Sequence, residues 1–251
     1  MRQSLSKSFI ANTVTSLNVF CGFISIIQTS EGNYQLAAIF IIIAAIFDAF
    51  DGIVARLLGT SSRFGVELDS LSDVVSFGAA PAFLIYKAYA SQFGIFGILL
   101  SSLLLVFGAL RLARFNISVG NLNTKSDFTG LPIPASAITI SLMVFSFYKN
   151  GSLVYPFDYL AAPLIVGLAA LMVSKIRYNA LPKMKDKSLK HKLVLVALLI
   201  LALILTILTD GVIVFFLFLG MVLFGVFRAI YFLMFPENAD KIETEIKVSE
   251  N

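Results

Sequence analysis

The chain has 251 residues, 58% hydrophobic and only 14% charged, with a mean hydropathy of +0.90, whereas soluble domains run at about 45–50% apolar and about 25% charged. That balance, with a net charge of +4, 16 Gly, 7 Pro and 1 Cys, excludes soluble globular, collagen-like, disordered and disulfide-stapled proteins. The single Cys21 can form no intrachain disulfide.

What remains is an all-α, polytopic integral membrane bundle. A spanning helix needs about 20 mostly apolar residues, and eight such windows occur, at approximately 13–30, 36–58, 71–91, 93–115, 131–149, 157–175, 191–209 and 211–235. The third and fourth are separated only by Ala90-Ser91-Gln92. The N-terminal stretch Met1 to Lys7 enters an apolar segment with no Ala-x-Ala cleavage pattern, so the first span is expected to be retained and the mature chain to begin there. Eight spans put both termini on one side. That side collects Arg2, Lys7, Arg56, Arg63, Arg111, Arg114, Lys125, the cluster Lys175 to Lys192, Arg228, Lys241 and Lys247, leaving Lys87 and Lys149 opposite. The excess of Lys and Arg makes it the cytoplasmic side of the cell membrane. The basic loop between the sixth and seventh spans follows the same rule, favours anionic lipid head groups and requires no nucleic acid. His191, beside Lys190 and Lys192, reads as interfacial. Residues 1–235 are expected to form one domain, followed by a polar tail over 236–251.

Four acidic residues stand where they should be expensive. Asp48 and Asp51 lie behind the apolar run Ala37 to Phe47, near the cytoplasmic end of the second span, and carboxylates at that depth must be paired or bound to something. Asp69 and Asp73 follow after a short connection that also supplies Arg63 and Glu67. On a helix, Asp48, Asp51, Gly52, Ala55 and Arg56 fall within an arc of about 140°. Gly65, Asp69, Ser72, Asp73 and Ser76 make a similar stripe. Helices joined by a short loop are antiparallel neighbours, so the stripes can face each other, with Gly52, Ala55 and Gly65 leaving the gap unfilled. An oxygen-rich cage of this kind suits hard divalent cations such as Mg²⁺. A pair of ions clamps the oxygens of a displacement at phosphorus, which makes phosphoryl-group chemistry the first hypothesis, with Arg56 on an exposed phosphate. A cation carrier or channel is the rival; it predicts ionisable groups spread through the membrane depth, whereas here they cluster at one face.

Written out, the segment is Asp48-Ala49-Phe50-Asp51-Gly52-Ile53-Val54-Ala55-Arg56, eight residues, Gly65, three residues, Asp69, three residues, Asp73. It resembles the signature of the CDP-alcohol phosphotransferases, D-x-x-D-G-x-x-A-R-x8-G-x3-D-x3-D, at all eight fixed positions. The resemblance implies a site for two Mg²⁺ or Mn²⁺ ions held by Asp48, Asp51, Asp69 and Asp73, with Asp73 also the base that activates the acceptor hydroxyl. It further implies that Gly52, Ala55 and Gly65 let the CDP moiety lie close to backbone, with Arg56 on the nucleotide or pyrophosphate. The family often enters its first span with P-N-x-x-T; here Ala11-Asn12-Thr13-Val14-Thr15 keeps Asn12 and Thr15 as nucleotide contacts and departs at Ala11.

Two further segments, Arg111 to Asn116 and Phe128 to Ala135, are similar to a branch of that family, the membrane-embedded phosphatidylserine synthases of bacteria and archaea. Eight spans agree with that branch, whereas many relatives have a six-span core. The family-like core is expected over about 8–175, with spans 191–235 as an addition. The resemblance implies transfer of the phosphatidyl group of CDP-diacylglycerol, or an archaeal ether-lipid counterpart, to L-serine, releasing CMP. It also implies a homodimer, although Gly220 and Gly225 form no GxxxG face. Direct displacement is expected, since no nucleophile other than the Asp residues is visible nearby.

Arg111 and Arg114 are i, i+3 neighbours on the side of the Asp cluster. They can hold the serine carboxylate or the lipid phosphate by charge-assisted hydrogen bonds, with Asn116 on an amine or hydroxyl; alternatively, both Arg simply mark the inner boundary and snorkel. Pro132 and Pro134 are expected to end a loop and open a helix. Other readings stay open: a family member that uses glycerol phosphate or inositol phosphate, a divalent-cation transporter, or a scaffold that only binds nucleotide lipids.

Overall fold

The computed structural model describes the backbone of residues 2–58, 63–120, 130–174, 176 and 189–234, with side chains for 12–54, 64–117, 130–174, 176 and most of 197–234. The first helix, α1 (Arg2–Ser30), stops at Glu31-Gly32-Asn33, where Gly32 takes φ +85° and the chain reverses into α2 (Tyr34–Leu58). These two helices pack along each other as an antiparallel hairpin. The acid-bearing α3 (Arg63–Asp73), a π-helical turn at Val74–Ala79, and α4 (Ala80–Ala88) then run on as one rod. A short 3-10 turn at Ala90–Phe93 and Gly94 at φ +57° end it, so the Ala90-Ser91-Gln92 break is real.

α5 (Ile95–Gly120) returns to the side of the Asp residues. α6 (Ile133–Phe147) starts directly after Pro132 and carries Pro134 in its first turn, as expected of a missing N–H at a helix start. It ends in a tight hairpin, β1 (Tyr148–Lys149) against β2 (Ser152–Leu153), with Tyr148 opposite Leu153 and Lys149 opposite Ser152. The two turn residues, Asn150 and Gly151, both take positive φ (55° and 89°), the requirement of a type I′ turn. α7 (Phe157–Val173), α8 (Leu189–Leu208) and α9 (Val212–Met234) complete the described helices.

Among the described residues, five helical stretches are long and apolar enough to cross a membrane: Asn12–Ser30, Tyr34–Val54, Phe64–Ala88, Ile95–Ile117 and Val212–Tyr231. The chain is therefore a multi-pass membrane protein. Its third span begins at Phe64, earlier than the window at 71, because the polar stripe Gly65 to Asp73 is helical and continuous with the apolar run after it. A hydropathy window sees only the latter part. The fifth and sixth windows hold shorter apolar helices, α6 with 15 residues and α7 with 17. α8 covers most of the seventh window. Lys125, Phe128, Thr129, most of the basic cluster 175–192 and the tail 236–251 lie outside the described residues, as do the side chains of Arg63 and His191.

The shortness of α6 has a packing reason. Twelve of its 15 residues are buried, and it sits against α2, α4, α7 and α9 and the π-helical turn. Ile133, Ile140, Leu142 and Met143 are fully enclosed, so α6 is the post around which the other helices stand.

On the α1 side, the tightest approach is between Gly22 and the π-helical turn. A Cβ at Gly22 would lie 2.7 Å from Ser76 Cα and strike Ser76 Oγ. Backbone at that distance cannot swing aside as a side-chain tip can. Gly22→Ala is therefore expected to destabilise the protein by about 1–3 kcal/mol, the usual cost of overpacking, visible as a lower thermal unfolding midpoint in detergent.

Candidate active site

α2 projects Asp48 and Asp51 toward α3, which answers with Asp69 and Asp73 one turn apart. Ligand oxygens of Asp48, Asp51 and Asp69 all lie within 4.8 Å of one another. Asp73 is within electrostatic range of all three. Asp51 and Asp73 are only 7% and 8% exposed. The aspartates of the two stripes read from the sequence thus do converge, and Asp73 stands where α3 passes into the π-helical turn. Such an insertion re-aims side chains on either side of it and is frequent at functional sites.

A third helix completes the arrangement. Thr15 on α1 donates its hydroxyl to Asp51, and Asn18 Nδ2 donates to Asp73 Oδ1 at 3.5 Å. In return, Ser72 Oγ donates to the Thr15 carbonyl at 3.3 Å and Ser76 Oγ to the Asn18 carbonyl at 2.9 Å. Polar and small residues therefore meet along α1 and α3 in alternating directions, and the seam holds two of the four carboxylates from outside the motif that supplies them. Asn18 was not singled out in the sequence. Its signal was the run Thr15, Asn18, Gly22, Ser25 and Thr29, spaced by alternate threes and fours, which marks one face of an otherwise apolar helix.

The donor set fits a divalent ion. Three clustered carboxylates in a poorly polarisable medium repel one another, and Asp51 Oδ2, though buried, has no hydrogen-bond partner among the described residues. Oxygens bound to one Mg²⁺ at about 2.1 Å are at most about 4.2 Å apart. The three oxygens, all within 4.8 Å of one another, are near that range and would have to draw together to share one ion. All the donors are hard oxygens, the preference of Mg²⁺ and Mn²⁺.

On α5 the three expected residues have separate surroundings. Arg111 is half-buried, in electrostatic contact with Asp73, and its Nε has no hydrogen-bond partner among the described residues. Arg114 is exposed and donates from Nη1 to the Val173 carbonyl at the end of α7, 3.0 Å away, where a cation also complements the helix dipole. Leu131 N–H donates to the Leu171 carbonyl in the last turn of the same helix (3.0 Å), and Gly130 N–H to the Ile176 carbonyl just beyond it (2.8 Å). Gly130 has φ +88° and packs so closely on the Met172 carbonyl that a Cβ would collide with it. Asn116 exchanges hydrogen bonds with Ser70, the neighbour of Asp69: its Nδ2 donates to Ser70 Oγ at 3.0 Å, and its Oδ1 lies 3.3 Å from that hydroxyl. Asn12 is half-buried on α1 three residues before Thr15, while Gly52 follows Asp51 on α2 and Gly65 precedes Asp69 on α3. Ala55 and Arg56 belong to α2, but their side chains lie outside the described residues.

A membrane bundle with a buried multi-carboxylate site between its second and third spans is the class of protein these features define. Residues 8–163 match the family model for CDP-alcohol phosphatidyltransferases, and the chain belongs to that family. It is 40% identical over 193 residues to a CDP-diacylglycerol–serine O-phosphatidyltransferase of Helicobacter pylori, covering 77% of this chain and 80% of the relative. It is 41% identical over 182 residues to an archaetidylserine synthase of Methanothermobacter thermautotrophicus, covering 71% and 73%. A CDP-diacylglycerol–serine O-phosphatidyltransferase of Bacillus subtilis is 35% identical over 183 residues, covering 73% of this chain and 97% of its own.

The buried, unpartnered oxygen of Asp51 gives a direct test. Titration of the detergent-purified protein with Mn²⁺, followed by the loss of the free-ion electron paramagnetic resonance signal, should show binding that Asp51→Asn weakens at least about tenfold, since an outer-shell lesion already costs 10- to 100-fold. Undiminished binding in Asp51→Asn would remove Asp51 from the ligand set.

Proposed function

We propose that the protein transfers the phosphatidyl group of CDP-diacylglycerol, or of an archaeal ether-lipid equivalent, to L-serine, giving a phosphatidylserine-type lipid and CMP. The observation that carries this reading is the cluster of Asp48, Asp51 and Asp69 with Asp73 beside it, in a chain whose relatives are named for serine transfer.

In this reading Asp48, Asp51, Asp69 and Asp73 hold two Mg²⁺ or Mn²⁺ ions. When bound, these supply neutralisation of the diphosphate and of the departing CMP, the role of a paired-ion site in phosphoryl chemistry. Thr15 keeps Asp51 oriented. Asn12, Gly52, Ala55, Arg56 and Gly65 line the nucleotide and pyrophosphate. The seryl hydroxyl attacks the lipid-side phosphorus, a new P–O bond forms as the P–O bond to CMP breaks, and the hydroxyl proton passes to Asp73. Asp73 needs no unusual basicity for this, because proton capture late in the transfer depends on position.

Arg111 is the group for the acceptor carboxylate. It is half-buried beside Asp73 with an unused N–H, and a guanidinium recognises a carboxylate through a planar fork of donors. Arg114 and Asn116 shape the same pocket from behind, one tying α5 to α7 and the other tying α5 to α3. The lipid reaches the cleft sideways from the bilayer, with its chains left in hydrocarbon. The full topology in this reading has eight spans with both termini and the site on the cytoplasmic side. Residues 1–235 form a single catalytic domain with a core over about 8–175, 236–251 a polar tail, and the protein pairs as a homodimer.

The test is a purified-protein assay for CMP release from CDP-diacylglycerol with a panel of acceptors. Serine should support turnover and glycerol phosphate and inositol phosphate should not, and excess chelator should abolish it. Equal rates across the panel would sink the serine assignment, and ion flux into liposomes without lipid substrate would favour a transporter. Asp73→Asn should lower kcat by about 10²- to 10⁴-fold, the usual contribution of a positioned base. Arg111→Leu should act chiefly by raising KM for serine, with KM for the nucleotide lipid nearly unchanged. A rise confined to the lipid KM would move Arg111 to the phosphate.

A further inference from the structure

We infer that Asn18 is the positioning residue for Asp73: from α1 it holds one carboxylate oxygen so that the other is presented to the acceptor hydroxyl. This rests on the reading of Asp73 as the base.

Asn18 is wholly enclosed, with 0% of its surface exposed, so it does not itself meet a substrate. Its Nδ2 donates to Asp73 Oδ1 at 3.5 Å. That is a long hydrogen bond, and such bonds around reacting groups commonly shorten when substrate binds. Its own Oδ1 has no hydrogen-bond partner among the described residues. A buried amide left half-used inside a membrane is costly, and an isosteric leucine would pack there more cheaply. The one described side-chain contact of the amide, to Asp73, is therefore what the residue contributes.

The support behind Asn18 is rigid. Its backbone carbonyl accepts the Ser76 hydroxyl at 2.9 Å, and one turn earlier the Thr15 carbonyl accepts Ser72. One turn later Gly22 allows α1 to touch the backbone of the π-helical turn. Contacts on both sides of Asp73 thus fix the height of the Asn18 backbone relative to it, so the amide donor starts from a fixed point on α1. Position, more than basicity, is what a carboxylate base requires.

The experiment compares Asn18→Leu, which keeps the volume and removes the donor, with Asn18→Gln, which keeps the donor, in the full-length protein purified in detergent. kcat, KM for serine, KM for CDP-diacylglycerol and the thermal midpoint are measured for each. Asn18→Leu should lose on the order of 10- to 100-fold in kcat, with both KM values within about twofold and the midpoint nearly unchanged. Asn18→Gln should recover part of the loss. Ser76→Ala should shift kcat in the same direction by less. The inference is overturned if Asn18→Leu keeps kcat within about twofold of the unsubstituted protein, if its loss falls on KM instead, or if Asn18→Gln does no better than Asn18→Leu. Should Asn18→Leu not fold, Asn18→Ser, polar but too short to reach Asp73, is judged by the same kcat criterion. Absence of serine-dependent CMP release from the unsubstituted protein is a separate outcome, which overturns the functional reading and this inference with it.

Discussion

Mutual repulsion among carboxylates inside a membrane is the constraint on which the rest of the structure depends. Asp48, Asp51 and Asp69 lie within 4.8 Å of one another, and neither lipid nor apolar protein can screen them. α2 and α3 bring them together while both pack against α1. α1 then holds the assembly from a third direction through Thr15 and Asn18. Hydroxyls from α3 and the π-helical turn bond back to α1 backbone carbonyls, so the seam is reciprocal. A site built this way has carboxylates at its centre, neutral donors on its α1 wall and the Arg111 guanidinium on its α5 side.

The second tier of the site is organised by α5. Its last described turns reach α3 through Asn116 and Ser70, and α7 through Arg114 and Val173. Arg111 lies between them with an N–H to spare. Two similar arginines three residues apart therefore have different surroundings: one completes the carbonyl end of a helix, and the other looks into the charged cleft. The division follows from what each can reach on an exposed or a half-buried face.

Much of this was legible in the sequence, for identifiable reasons. The Asp48-to-Asp73 string carries both chemistry and spacing, so it pointed to the carboxylate cluster as well as the family. Pro132 and Pro134 announced the start of α6, and Ala90-Ser91-Gln92 the break before α5. Other features were hidden because their signal depends on a partner. Asn18 and Gly22 belong to a polar and small-residue stripe on α1, but what they serve shows only when Asp73 and Ser76 lie opposite them. The π-helical turn leaves no compositional mark. Spanning lengths were misjudged where hydropathy and structure part company: the polar first half of the third span is helical, and the apolar window over 131–149 holds a helix of only 15 residues. The Asn150-Gly151 turn was readable in principle, but its strands of two residues each are too short to show alternation.

The brevity of α6 has a consequence for how the protein is assembled. At about 1.5 Å per residue its 15 residues extend about 22 Å, against roughly 30 Å of hydrocarbon. Such a segment has too little apolar length to reside alone in lipid, and its buried Ser136, Thr139, Ser141 and Ser146 add to the penalty. In the folded protein it is lodged against α2 and α4, which precede it in the chain, and against α7 and α9, which follow it. Enclosure of the central helix is therefore complete only when segments on both sides of it in the chain are in place.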